Sequence, residues 1–416
     1  MRILYVSQYF PPEIGAPAAR VHELSREWAR LGHEVTVLTA FPHHPAGIKR
    51  PEDRGVLERR ERIDGIDVLR TYVYAVPNKG TVKRMASYAS FMLSAAALGP
   101  LRLGSPDVVL ATSPQLLCAA AGYSLSRSFG VPFVFEVRDL WPESILAVDA
   151  MGDNVIVRGL KGLARFLYRS CDRIVTVGEG YRRSIHQLYA VDNRKMSVIP
   201  NGIDPSLFSP LPRENEIRRE YGWNDKFVLL YLGTHGMAHA LDKVLEAAKR
   251  LQEQRRIHFA FVGDGAEKEN LKRRAAAEQL TNVQFIDPQP KARVPLFYAA
   301  CDLGLVTLRD TSLFQEVLPS KIFEYLGMER AIVLSVGGEA RRLVEAAGAG
   351  EYVPPENVEA MVSCIRKLSQ DTARLDEMGK QGRAYVLEHY DRGALAKRYL
   401  DILAEVTKRG RPAQSP

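Results

Sequence analysis

At 416 residues the chain is too long for one ordinary hydrophobic core, so two or three domains are expected. Its 46% hydrophobic and 25% charged residues are those of a soluble globular protein with ample apolar surface to bury. The formal net charge of +8 sits almost wholly in residues 1–200, where 26 Lys and Arg oppose 19 Asp and Glu, while residues 201–416 carry 31 against 30. A polyphosphate ligand or an anionic membrane surface would explain that asymmetry. Nucleic acid is set aside, because there is no RNP-type aromatic motif, zinc-finger spacing or dense basic run.

Arg2-Ile3-Leu4-Tyr5-Val6-Ser7 reads as a first strand and not a signal peptide. Pro11 to Pro17 follows as a loop, then a helix in which Val21, Leu24, Trp28 and Leu31 recur at helical spacing until Gly32. Val35 to Thr39 is the next strand, and strand, loop, helix, strand predicts a parallel, doubly wound α/β sheet. Gly15, without a β-carbon, lets the backbone approach a ligand at the carboxyl end of the first strand. Glu13 in the same loop, with His43 and His44 beyond the second strand, is a candidate lining for an acceptor pocket. A metal site is not expected there, since side chains at i and i+1 diverge and no third ligand is spaced nearby.

Two stretches, 79–104 and Val155 to Arg169, combine apolar residues with Lys and Arg at helical spacing. They read as interfacial helices that dock on an anionic membrane and not as spans. Asp107 to Thr112 and Pro132 to Val137 are further buried strands, the second leading into Arg138-Asp139. Cys118, Cys171, Cys301 and Cys364 are far apart and read as reduced core residues of a cytosolic protein. Ser206 to Asn215 breaks the pattern as a linker, and from Phe227 a second α/β series begins. It includes Gly233-Thr234-His235-Gly236-Met237-Ala238-His239 before a helix expected from Ala238 to Leu251. Either histidine could add charge there once protonated, which would make binding pH-sensitive. A last helix is expected from about Arg392 to Thr407, with a disordered tail from Arg409.

The most informative stretch runs from Glu316 to Gly327. Pro319-Ser320 reads as a helix entrance with Ser320 as N-cap, and Ile322, Phe323 and Leu326 form its apolar face. Free N–H groups at that entrance would attract an anion, and Lys321 adds a point charge for it. Glu324, one turn on, could accept two hydrogen bonds from a vicinal diol such as a ribose, and Glu316 is placed to reach a third group. A diphosphate flanked by a ribose and a sugar satisfies all of these at once.

That stretch resembles the E-x7-E signature, here Glu316 and Glu324, of glycosyltransferase family 4, the retaining GT-B enzymes that include sucrose synthase-like, O-antigen and capsule transferases. Segments 172–180 and 198–204 also resemble the family's, so the likeness spans nearly the whole chain. It implies two Rossmann-like domains facing a cleft. Residues 1–205 would bind the acceptor, 206–391 the nucleotide sugar, and the C-terminal helix, 392–416, would pack back on the first domain. It further implies that Glu324 holds the ribose, Lys321 with Ser320 and the helix N-terminus the diphosphate, and Glu316 the sugar hydroxyls. The chain departs from the family at three places. Gly15-Ala16 replaces a Gly-Gly pair, Arg138 replaces a sugar-contacting His, and Thr234 and His239 stand where most members have a diphosphate-gripping Arg and Lys. Arg138 matches the subgroup of bacterial L-N-acetylfucosamine transferases and reads as a cation near the diphosphate or sugar.

The activity so implied is transfer of a sugar from a nucleotide diphosphate, UDP being the expected carrier, to a polyprenyl-diphosphate-linked saccharide. Glu316, Lys321 and Arg138 would be the catalytic residues, with no cofactor and no metal, since no D-x-D sequence occurs. The expected location is the cytoplasmic membrane face. A nucleotide-sugar 2-epimerase and an inactive, membrane-associated assembly partner are the rival readings.

Overall fold

The computed structural model describes residues 1–13, 15–43, 47–76, 81–113, 115–147 and 155–410, so His44 and the tail from 411 lie outside it. The chain divides into two units. One is Met1–Pro200 together with the chain from Gly393, and the other is Asn201–Arg392.

The first unit contains, in order, β1 (Arg2–Val6), α1 (Ala16–Arg30), β2 (Glu34–Ala40), β3 (Glu58–Ile63), β4 (Ile66–Thr71), α2 (Thr81–Arg102) and β5 (Val108–Thr112). It continues with α3 (Leu116–Phe129), β6 (Phe133–Val137), α4 (Glu143–Ala147), α5 (Val155–Ser170), β7 (Arg173–Thr176), α6 (Glu179–Tyr189) and β8 (Met196–Val198). Among the described residues they form one sheet in the order β3-β4-β2-β1-β5-β6-β7-β8, with Ile3 opposite both Val35 and Val108. The inner strands are continuous apolar runs because helices cover both faces. β3 alone runs antiparallel, joined to β4 through Asp64 (φ 49°) and Gly65 (φ 82°), the two positive φ values that a tight hairpin turn requires. Its sequence, Glu58-Arg59-Arg60-Glu61-Arg62-Ile63, keeps this edge strand charged and guards it against further pairing.

On α1, Val21, Leu24 and Trp28 are buried as the spacing requires, but Leu31 lies past the helix end and is 42% exposed. The Trp28 indole N–H donates to the Ala396 carbonyl (3.0 Å), on the helix Arg392–Gly410 that closes the described chain. Leu395, Ala396, Tyr399 and Leu403 share the core of this unit with Ile3, Tyr5, Val21 and Trp28. A buried polar knot completes that core. Glu136 accepts from the Tyr5 hydroxyl (2.5 Å) and from Arg20 Nε (3.0 Å), and the Arg20 guanidinium also donates to the carbonyls of Ile199 and Pro200 (both 2.9 Å).

The second unit contains α7 (Glu216–Glu220), β9 (Phe227–Leu232), α8 (Leu241–Arg250), β10 (Ile257–Val262), α9 (Lys268–Ala277), β11 (Val283–Ile286), α10 (Val294–Ala300) and β12 (Leu303–Thr307). After these come α11 (Lys321–Gly327), β13 (Ile332–Ser335), α12 (Gly338–Ala346), β14 (Gly350–Tyr352), α13 (Val358–Leu368) and α14 (Thr372–His389); the helix that follows, α15 (Arg392–Gly410), belongs from Gly393 to the first unit. The described strands form a parallel sheet in the order β11-β10-β9-β12-β13-β14. α15 reaches Gly410, so Arg409 belongs to a helix and not to a tail.

Both sheets reverse their strand order once, between β1 and β5 in the first and between β9 and β12 in the second. Ligands of open α/β sheets bind beyond the carboxyl ends of the strands at such reversals. In the second unit the segments there are 233–240, after β9, and 308–320, after β12.

Candidate active site

β9 is followed by Gly233, whose φ of 144° is closed to most side chains. A β-carbon on it would lie 3.1 Å from the Lys321 ammonium nitrogen, so the bare backbone is what lets Lys321 reach this point. Gly263 (φ 140°), after β10, packs closer still, since a β-carbon there would stand 2.0 Å from the Gly233 carbonyl oxygen. His235 N–H donates to the Asp264 carbonyl (2.8 Å), and the Tyr231 hydroxyl donates to the Thr234 carbonyl (2.7 Å). These contacts fix the post-β9 segment as a rigid edge.

Lys321 opens α11, and its ammonium stands 3.6 Å from the centre of the Tyr231 ring, buried and with no hydrogen-bond partner among the described residues. Burial lowers its pKa to about 7 against the opposing pull of Glu324. Glu324, three residues on and so on the same helix face, accepts from the Tyr298 hydroxyl of α10. Burial, then the Glu324 charge, holds that phenol far above its usual titration range. Tyr325 donates to the Leu230 carbonyl (2.5 Å) and stacks edge-on with Tyr298 at 4.7 Å, which anchors α11 to β9.

Three expectations change. Ser320 has helical backbone angles and makes no capping bond with its side chain. The N–H groups of Ile322 and Phe323 bond instead to the carbonyls of Pro319 and Ser320 (3.2 and 3.1 Å), so the first turn caps itself. The helix expected from Ala238 begins at Leu241, after a 3-10 turn over Met237–His239 and a left-handed Ala240 (φ 50°). The two histidines do not supply charge at neutral pH. Burial, aided by Lys268 and Lys321, lowers His235 to about 4, and burial with Lys321 lowers His239 to about 3. His235 is fully buried with neither ring nitrogen hydrogen-bonded, His239 is half-buried with Nδ1 3.3 Å from the Gly236 carbonyl, and Thr234 is exposed.

Glu316 ends a 3-10 turn, Phe314–Glu316, that rests on the start of α12. Gly338 (φ 63°) makes that contact possible, because a β-carbon on it would fall 1.7 Å from the Gln315 carbonyl oxygen. Sequence reading missed Gly338, Tyr231 and Tyr298. The Gly337-Gly338 pair was the available signal for the first, whereas the tyrosines are indistinguishable from core residues until the fold brings them in.

In the first unit the loop after β1 carries Gly15, exposed at φ 140°, as the residue before α1. Glu13 is buried, and its carboxylate accepts from the backbone N–H of His43 (2.9 Å) and of Phe10 (3.4 Å). The His43 ring faces the Phe41 carbonyl through Nδ1 (2.9 Å). Glu13 and His43 therefore meet, as a brace between the ends of β1 and β2. Arg138 follows β6, with its backbone N–H on Ser113 Oγ (2.8 Å) and its guanidinium on the Pro17 carbonyl (3.0 Å), directly behind the turn that holds Gly15. Burial lowers its pKa, while the neighbouring Glu136 opposes that shift. No cluster of three or more metal-ligating side chains occurs among the described residues.

An unpaired ammonium beside open backbone, with a phenol-braced carboxylate one turn away, suits an anion joined to a diol. Comparison with known proteins gives the family. Residues 15–202 match the family described as glycosyl transferase 4-like domain, and residues 213–385 match glycosyl transferases group 1. The chain is a GT-B glycosyltransferase of family 4.

WbjE of Pseudomonas aeruginosa, described as a glycosyltransferase, is 28% identical to it over 73% of this chain and 75% of its own. WcaI of Escherichia coli, described as a colanic acid biosynthesis glycosyl transferase, is 27% identical over 88% and 92%. The fold is shared with Anabaena HepE, solved in complex with UDP and glucose, at a TM-score of 0.73 and 17% identity over 97% of this chain and 99% of that one. In this glycosyltransferase the first match carries Gly15, His43 and Arg138, and the second carries Thr234, His235, His239, Glu316, Ser320, Lys321 and Glu324.

Proposed function

We propose that this glycosyltransferase moves a sugar from a UDP-linked donor, an N-acetyl-6-deoxyhexosamine among the candidates, to a lipid-linked saccharide during surface polysaccharide synthesis. The observation that carries the reading is Lys321, a buried ammonium with no counter-ion in hydrogen-bonding range among the described residues, which a donor diphosphate would supply. Charge grows on that diphosphate as the glycosidic bond breaks, and a fixed cation aimed at it lowers the barrier. Glu324, oriented by Tyr298, accepts the ribose hydroxyls, and Glu316 the hydroxyls of the sugar. UDP in the HepE complex and the colanic acid role in the description of WcaI support this choice of donor and pathway class.

Arg138, behind Gly15, acts on the sugar or diphosphate, and Glu13, His43 and His44 belong to the acceptor side. In this proposal Lys321 and backbone N–H groups take the role of a divalent metal. The acceptor hydroxyl attacks from the face the diphosphate leaves, which retains the anomeric configuration without an enzyme nucleophile.

The basic first unit supports an acceptor held at an anionic membrane on the cytoplasmic side. α5 exposes Val155, Ile156 and Phe166 beside Arg158, Arg165 and Arg169, the surface of a helix that lies in an interface. No helix among the described residues is long and apolar enough to cross a membrane.

The test is turnover of a panel of nucleotide sugars with and without chelator, with the product anomer read by NMR. Release of UDP that needs an acceptor, survives chelator and disappears in Glu324→Ala is the expected result. Epimerised donor formed without acceptor, or an inverted product, would overturn the proposal.

A further inference from the structure

The 3-10 turn before α8 is gripped from one side. The Arg309 backbone N–H donates to the Ala238 carbonyl (2.8 Å), Arg309 Nε to the Met237 carbonyl (3.2 Å), and Thr307 Oγ1 to the His239 carbonyl (2.6 Å). Three successive carbonyls are thus drawn toward the end of β12. The guanidinium making one of these bonds is itself held between Asp242 in the first turn of α8 (2.7 Å) and Glu356 beyond β14 (2.8 Å). Glu356 also accepts from the Asp310 N–H (3.0 Å), so the clamp joins three separate segments of the unit.

A trans peptide points its N–H opposite to its carbonyl. Holding the carbonyls of Met237, Ala238 and His239 therefore turns the N–H groups of Ala238, His239 and Ala240 to the other side. That of His239 returns to the Gly236 carbonyl (3.1 Å). A right-handed turn residue followed by left-handed Ala240 is the backbone form in which successive N–H groups make a concave anion cradle. The Lys321 ammonium, buried and without a hydrogen-bond partner among the described residues, stands 3.6 Å from the centre of the Tyr231 ring, and the His239 ring lies 6.0 Å from that same ring.

We propose that Arg309 is a positioning residue for diphosphate recognition. It touches no substrate. It fixes the direction of the turn's N–H groups, so that the backbone supplies the donors which Thr234 and His239 do not supply as cations. This rests on the donor reading above. The residue has no catalytic motif around it in sequence, and its role follows from its four separate partners.

The test is calorimetric titration of the full chain with UDP and, separately, with uridine, for wild type, Arg309→Ala and Arg309→Lys. Arg309→Ala is expected to weaken UDP by at least about tenfold, the scale of one charge-assisted contact, and to leave uridine within about twofold. Arg309→Lys, which keeps the charge between Asp242 and Glu356 but loses the fork, should recover part of the UDP affinity. Equal loss for UDP and uridine, or unchanged UDP binding, would overturn the positioning role while leaving the donor reading intact. Wild type that binds neither would overturn both.

Discussion

On the proposed donor reading, Lys321 makes the site a proton-linked one. Its pKa of about 7 in the free protein stands far below the ordinary 10.5, a difference worth on the order of 5 kcal/mol. Burial is the cause, and Glu324 offsets only part of it. A diphosphate placed against the ammonium restores the charged form, so the pKa in the complex must rise. Below pH 7 Lys321 is already charged and binding needs no proton. Above pH 7 each binding event must take one up, and affinity should fall about tenfold per pH unit until the pKa of the complex is reached. Titration calorimetry with UDP at pH 8.5, in buffers of different ionisation enthalpy, should show uptake of close to one proton per site. In Lys321→Ala the uptake should vanish and donor binding should be nearly abolished. Histidine protonation would give a different profile, with uptake confined to the acid side, because His235 and His239 titrate near 4 and 3. Unchanged proton uptake or unchanged donor affinity in Lys321→Ala would refute the assignment.

The same shift has a cost for the free protein. Since the native lysine binds its proton less tightly than the unfolded one, wild-type stability should rise as pH increases from 7 toward 10. Lys321→Met should be more stable than wild type at pH 7 by chemical denaturation and should lack that rise, and a variant less stable than wild type at pH 7 would contradict it. Gly338→Ala places a β-carbon 1.7 Å from the Gln315 carbonyl oxygen at a φ of 63°. It should cost about 1–3 kcal/mol, shift the turn bearing Glu316, and lower kcat more than donor affinity; wild-type kcat would argue against a role for Glu316 in the transition state. Glu136→Gln breaks the buried pair with Arg20 and should cost about 3–5 kcal/mol in urea unfolding. A loss below about 1 kcal/mol would mean that the knot at the exit of the first unit contributes little.

What the sequence revealed of this site was what one short segment carries. Lys321 and Glu324 are three apart on α11, so their shared face is a property of the helix repeat and needs no tertiary knowledge. The parallel sheets were legible for a related reason, since strands covered on both faces must be continuously apolar, as Ile3 to Val6 and Phe227 to Leu232 are. The β3–β4 hairpin went unread because its charged alternation suits an edge strand and carries no apolar signal, although Asp64-Gly65 was a fair turn marker. Ser320 misled because capping preference assumes unsatisfied first-turn donors, and here the backbone satisfies them. The histidines misled because a side chain's charge is set by its surroundings. A buried imidazole beside a lysine loses its proton, a fact no local window contains. Tyr231, Tyr298 and Arg309 were out of reach for the same reason, as each acts on a partner that only the strand order brings near. With both histidines neutral, the positive charge of the post-β9 edge falls to Lys321, and the remaining attraction for an anion must come from backbone N–H groups whose direction Arg309 and Thr307 set. The proposed donor site would therefore depend on the turn's geometry more than on its side chains. Substitutions at Thr234, exposed and bonded through its carbonyl to Tyr231, should matter less than those at Arg309.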